Sequence, residues 1–391
     1  MDQLGSSESK FFLRLTLVVF IACLWMPILQ MGFNFFPEVE STEKRTLSSR
    51  PELVSLSMGE LKKFIPDYEK FFNERFGFRN SLVRWNNFIR TKILRVQQPI
   101  PDIVIGKDGW MFFNSTKDGI NMKDYCGLVP YSPVQLSEIR SSIEKDHALF
   151  KKKGILYVIV VSPSKHSIYP EHLPESIVRV SDRTRLDQVA EHLAGNPEVH
   201  FLDLRAPLLE AKRSFPVYYK TDTHWNRFGS FIGYREIMKH LSRTYPELQP
   251  RDLSDYIIRF HPNSAAGGDL AEMLSLKGML RDDAVTVRSR EPSHSRLVDL
   301  VEFGDRKQCA VRKFVSENPN CSSIRFLMLH DSFGNGLMGY LPEHFANSTF
   351  VTGMYESPNK SIDDEKPDIV VLELTERFLD SLRSPLFAGR P

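Results

Sequence analysis

From Leu15 to Pro37 the chain carries no charged residue. Backbone N–H and C=O groups in hydrocarbon must be satisfied within their own segment, so such a stretch crosses a bilayer as a helix or not at all. At 1.5 Å per residue it is long enough to span a core of about 30 Å. Lys10 and Arg14 flank its N-terminal side, which leaves a short N-terminus in the cytoplasm and everything after Glu38 outside. A cleaved signal peptide is the alternative. The apolar run, however, is longer than a signal core, and no small-x-small site follows it promptly. Residues 1–37 therefore read as a membrane anchor or uncleaved signal.

The rest of the 391 residues allows one large domain or two modest ones. Lys+Arg 51 against Asp+Glu 49 leaves a net charge of +2, so no global field argues for nucleic acid. Beyond Cys23 in the span there are Cys126, Cys309 and Cys321. Three allow at most one internal bridge, with Cys309 and Cys321 the nearest pair for an oxidising compartment, and their spacing matches no zinc motif.

Residues 38–100 open as a polar linker and continue in apolar residues at helical spacing: Leu61, Phe64, Tyr68, Phe71 and Phe72, then Leu82, Trp85, Phe88, Ile89 and Ile93. Two amphipathic helices are predicted, packing on the domain that follows. In 101–391, Ile103–Ile105 and Trp110–Phe113 flank a Gly-Lys-Asp-Gly turn and read as two strands. Ser132 and Pro133 start a helix running to Gly154. The unbroken apolar run Ile155–Val161 fits a central strand covered on both faces. Helix from Asp182 to Gly195, strand Val199–Leu204, helix Trp225–His240, strand Arg325–Leu329, a helix from Phe333 and strand Ile369–Leu374 continue the alternation. This is the pattern of an α/β, three-layer domain with a mostly parallel sheet. The stretch 252–315 is less regular and reads as an insertion or lid.

Ligands of such sheets gather beyond the carboxyl ends of the strands. Two polar segments fall there. In Leu327-Met328-Leu329-His330-Asp331-Ser332 a buried strand ends on a serine beside a helix start, where unpaired N–H groups can meet an oxyanion. In Lys220-Thr221-Asp222-Thr223-His224-Trp225 a polar turn leads into a helix. A serine hydroxyl keeps its proton until a base removes it. Histidine supplies that base, and a carboxylate fixes its tautomer. Ser332 is thus the candidate nucleophile, His224 the base and then acid, and Asp222 the orienting carboxylate. Read singly, Asp-Ser is also an ordinary cap, and Asp222 with His224 a structural turn or half of a metal site. Two ligands are too few for a metal, and His166, His172 and His261 show no arrangement around them. No metal or cofactor is expected.

At these residues the sequence resembles the alginate O-acetyltransferase family of the AlgJ and AlgX type. The resemblance takes in Glu43-Lys44-Arg45, Phe71-Phe72-Asn73-Glu74-Arg75-Phe76-Gly77-Phe78-Arg79 and Val104-Ile105-Gly106-Lys107-Asp108-Gly109-Trp110-Met111-Phe112. It continues through Lys220-Thr221-Asp222-Thr223-His224-Trp225-Asn226, Gly268-Asp269-Leu270-Ala271-Glu272-Met273-Leu274, Asp331-Ser332-Phe333 and Glu373-Leu374-Thr375-Glu376-Arg377. It implies an SGNH hydrolase-like fold, a single-pass inner-membrane protein with its catalytic domain in the periplasm, and the chain order Asp-x-His before Ser. It also implies acetyl transfer through a Ser332 acyl-enzyme to hydroxyls of an exported polysaccharide such as alginate, with an MBOAT-type membrane acetyl carrier as partner. The anchor without a C-terminal carbohydrate module resembles the AlgJ arrangement. One departure is His330 where the family has glycine before Asp-Ser, which implies a roomier turn or an altered oxyanion region and introduces a rival base. A carbohydrate acetylesterase with the same triad and a non-catalytic scaffold subunit of a secretion complex are the alternative functions. Trp110 reads as hairpin packing, while Glu373, Glu376 and Arg377 read as an ion pair or substrate contacts.

Overall fold

The computed structural model describes residues 2–37, 47–94, 102–114, 121–303, 311–352 and 358–388. Cys309 and the Glu43-Lys44-Arg45 motif lie outside the described residues. The chain divides into two units, Met1–Gln97 with Glu272–Gly278, and Gln98–Ala271 with Met279–Pro391.

In the first unit most of the uncharged run, Leu15–Phe33, lies in one helix, Asp2–Phe33, of which Lys10–Phe33 is long and apolar enough to cross a membrane. Phe11, Val18, Phe20 and Leu24 along it are exposed. Gln30 pins the chain just past its end: the side chain accepts from the Phe36 N–H at 3.1 Å and donates to the Phe36 carbonyl at 2.7 Å. Helix Met58–Arg75 begins at Ser57, whose hydroxyl accepts from the Glu60 N–H. Helix Arg79–Phe88 runs on into one π turn, Ile89–Ile93. Asn87 and Arg84 donate to the carbonyls of Leu274 and Ser275 at 2.9 and 3.1 Å, which draws 272–278 into this unit.

The second unit opens with the hairpin β1 (Ile103–Ile105) and β2 (Met111–Phe113), paired antiparallel. Asp108 and Gly109 both take positive φ in the turn, the conformation for which glycine is the unstrained residue. Trp110 is buried between Tyr169 and His172, with ring centroids 4.2 and 4.6 Å away. It packs, as its sequence context suggests.

The main sheet contains β3 (Leu156–Ser162), β4 (His200–Asp203), β7 (Arg296–Phe303), β8 (Val311–Glu317), β9 (Ser322–His330), β10 (Phe345–Thr352) and β11 (Ile369–Thr375). Its order is β4-β3-β11-β9-β10-β8-β7. The first five strands run parallel, and β8 and β7 are antiparallel at one edge. The continuous apolar run of β3 follows from burial on both faces. Val158 and Val160 join Phe326, Met328, Val371 and helix Arg227–Leu241 on one side. Tyr157, Ile159 and Val161 join Leu327, Leu329, Leu372 and helices Pro133–Lys152 and Arg185–Leu193 on the other. Helix, sheet and helix make three layers.

The irregular stretch 252–315 resolves into two different things. Strands β5 (Tyr256–Ala266) and β6 (Arg281–Ser289) form a separate antiparallel pair. Strands β7 and β8 instead extend the main sheet, β8 pairing with β10. The helix expected from Phe333 is two 3-10 segments, Gly334–Gly339 and Leu341–His344. Gly334, Gly336 and Gly339 in so short a span disfavour an α-helix.

Candidate active site

Strands β3, β9 and β11 run in register, pairing Ser162 with Thr375 and Glu373 with His330, so Asp331 and Ser332 leave β9 beside the end of β11. Asp331 fixes the departure. One carboxylate oxygen accepts from the Phe333 N–H at 2.8 Å, and the other from the Thr375 N–H and hydroxyl at 2.7 and 2.5 Å. Neither Asp331 nor Thr375 is marked by local sequence as a brace for the serine; the signal is only that a threonine closes the neighbouring parallel strand.

The second segment is a tight turn closed by a bridge between Tyr218 and Trp225. Asp282 of β6 accepts from the Lys220 N–H at 2.9 Å, and from the Thr221 N–H and hydroxyl at 2.7 and 2.8 Å. Asn226 caps the following helix by accepting from the N–H groups of Phe228 and Gly229. Trp225 donates its indole N–H to the Phe333 carbonyl at 3.1 Å, which ties this turn to the serine turn.

These restraints bring the three predicted residues together. His224 Nε2 lies 2.7 Å from Ser332 Oγ, and His224 Nδ1 lies 2.7 Å from Asp222 Oδ1. An ionised carboxylate only accepts, so the ring proton sits on Nδ1 and the Nε2 lone pair faces the serine hydroxyl. Burial would push the Asp222 carboxyl up. The His224 side chain outweighs it, with help from the N–H groups of His224 and Asp269, and holds the pKa down at about 2. Asp222 is therefore ionised wherever the protein works.

His330 does not compete as a base. It is fully buried; Nδ1 lies 2.6 Å from the Asp331 carbonyl and Nε2 3.3 Å from Thr352 Oγ1. Burial also pushes its pKa down. The room for an imidazole before Asp-Ser comes from Gly334, where a Cβ would lie 2.4 Å from a ring carbon of His330. Glu373 and Glu376 are buried as well. Glu376 accepts from the Ser164 N–H and Ser167 hydroxyl, both at 2.8 Å. The Arg377 guanidinium lies over the rings of Phe378, Phe113 and Phe333.

A carboxylate that the sequence reading left without a role, Asp269, sits 3.6 Å from His224 Nδ1. Ligand-type atoms of Asp222, His224 and Asp269 all lie within 4.8 Å of one another. With Nδ1–H turned to Asp222 and Nε2 to Ser332, the imidazole has no nitrogen lone pair left for a cation, so the chemistry of the donor set is that of a proton relay.

The sequence profile of the SGNH hydrolase-like domain of the acetyltransferase AlgX matches residues 103–311. The probable alginate O-acetylase AlgJ of Pseudomonas syringae is 23% identical over 293 residues, 71% of this chain and 69% of its own length. The protein of the same name from Pseudomonas putida is 26% identical over 288 residues, 71% and 70% of the two chains. Among solved structures, Bacillus cereus PatB1 superposes with a TM-score of 0.51 at 18% identity, over 71% of this chain and 96% of that one. This likeness supports the fold.

Proposed function

The chain belongs to the SGNH hydrolase-like family of the acetyltransferase AlgX, and from that premise we propose that it is a polysaccharide O-acetyltransferase working through a Ser332 acyl-enzyme. One observation carries the mechanism: the unbroken line Asp222, His224, Ser332, with two contacts of 2.7 Å. The Ser332 oxygen attacks the acetyl carbonyl of a donor ester while its proton passes to His224 Nε2. The tetrahedral intermediate collapses, the donor C–O bond breaks, and the leaving oxygen takes that proton. A sugar hydroxyl then attacks the acetyl-serine, gives its proton to His224, and the serine leaves with it. Asp222 stays ionised and stabilises the imidazolium at both steps.

The N–H groups of Phe333 and Gly334 are committed to Asp331. Among the described residues the Ser332 N–H has no hydrogen-bond partner, and this is the backbone donor that would meet the oxyanion. The apolar helix Lys10–Phe33 suits a protein tethered to a membrane, with the domain on the periplasmic face and an acetyl group arriving from a membrane carrier of the MBOAT type. The acceptor, by the names of the AlgJ relatives, is an exported polysaccharide of the alginate kind.

Transfer is separated from hydrolysis by giving the full chain in detergent an acetyl-ester donor with and without oligomannuronate. Acetylated oligosaccharide that disappears in Ser332→Ala is the expected result. Acetate release indifferent to every acceptor would favour an esterase.

A further inference from the structure

The segment Gly267–Asp269 is wound tightly around the histidine turn. The Gly268 N–H donates to Thr221 Oγ1 at 2.9 Å, and the Asp269 N–H donates to Asp222 Oδ2 at 3.1 Å. Asp269 Oδ1 accepts from the Thr223 N–H at 2.6 Å. Only glycine fits at 268, because a Cβ there would lie 2.3 Å from Asp222 Cβ. The outcome is an imidazole whose Nδ1 faces two carboxylates: Asp222 at hydrogen-bond distance, and Asp269 Oδ2 at 3.6 Å. The second distance is too long for a hydrogen bond. It is short enough for a strong charge interaction once the ring is protonated.

Building on the proposed acyl-transfer role, we propose that Asp269 is a second positioning carboxylate of this site, acting through His224. Its backbone and side chain hold the Asp222–His224 turn, and its charge stabilises the imidazolium that forms while the serine is deprotonated. The other groups facing this corner are Lys165, whose ammonium donates to the carbonyls of Met111 and Lys220 and interacts with both aspartates, Tyr219 with Arg227 beside it, Asp331 on the serine turn, and Arg377 over the Phe333 ring. None of the cations contacts the imidazole directly, so the balance at Nδ1 is set by the two carboxylates.

The test is Asp269→Asn in the full chain. The amide oxygen can still accept from Thr223 while the charge is gone. The base must be neutral to accept the serine proton, so activity falls on the acid side of its profile. Removing a negative charge at this distance makes the imidazolium less stable and moves that limb to lower pH by about half a unit or more. The plateau rate on an aryl acetate falls about three- to tenfold, with the melting temperature unchanged. Ring-proton NMR of His224, read in a Ser332→Ala background with and without Asp269→Asn, gives the same shift without any need for turnover. An acid limb and an NMR midpoint identical to those of the parent chain would overturn the proposal. Turnover that survives Ser332→Ala would instead remove the functional reading, and the NMR comparison would still decide the role of Asp269.

Discussion

Asp222→Asn keeps the shape of the orienting group but presents an amide that can donate, so the His224 ring loses the partner that fixes its proton on Nδ1. A fall in kcat of about ten-thousandfold is expected, with the fold intact by circular dichroism. Gly334→Ala probes the other turn. A methyl group there meets the ring of His330, which is locked in the sheet, so the serine turn has to move. Loss of more than tenfold in kcat/KM is expected, and shrinking the ring with His330→Gly in the same chain should restore part of it. Ser332, His224 and Asp222 could be singled out because serine after a buried strand and Asp-x-His before a helix are local patterns, and the fold brings the three side chains within hydrogen-bond distance. Asp269 and Asp282 could not be. Each is set apart only by contacts to a turn dozens of residues away, and nothing in the chain around them records those contacts.

At the level of elements, the helix at Pro133 was readable from its cap, and Ser132 with Gln135 forms the full capping box. Strands β3, β9 and β11 were readable because burial on both faces demands uninterrupted apolar runs. Strands β7 and β8 show in the sequence only as short strand-like pieces of an irregular stretch, and their place in the main sheet was not readable, for the opposite reason. They lie at the antiparallel edge, where Leu297, Val298 and Leu300 are exposed, and the pairing of β8 with β10 is a long-range choice. The C-terminal segment supplies a stability test of this layer. Buried Asp146, on helix Pro133–Lys152, accepts from the N–H groups of Leu386, Phe387 and Ala388 at 2.8, 3.1 and 2.7 Å. Asp146→Ala leaves these donors without a partner and should cost about 3 kcal/mol, read as a lower urea midpoint. The acid limb of the activity profile should not move.

Across the whole molecule, buried carboxyls make stability depend on pH. Burial, reinforced by the nearby Asp124 carboxylate, raises Glu376 to about 7, and burial raises Asp124 to about 6. A carboxyl with a raised folded pKa binds a proton more tightly when folded. Its contribution is complete below the unfolded value near 4.5 and is lost as pH climbs through the folded value. This contribution is opposed by His147, His166, His240 and His344, whose pKa values burial lowers, favouring folding as pH rises. The test is therefore differential: the stability of Glu376→Gln relative to the parent chain should rise between about pH 4.5 and 7 in urea melts taken across the range.

The central claim, that Ser332 carries the acetyl group, is met most directly by peptide mass spectrometry of the full chain, acid-quenched during turnover of an activated acetyl ester. One acetyl group on Ser332, absent from Ser332→Ala and depleted in His224→Ala, is the predicted result. Folded protein that consumes the ester while Ser332 stays unmodified, or that carries the label on another residue, would contradict the account.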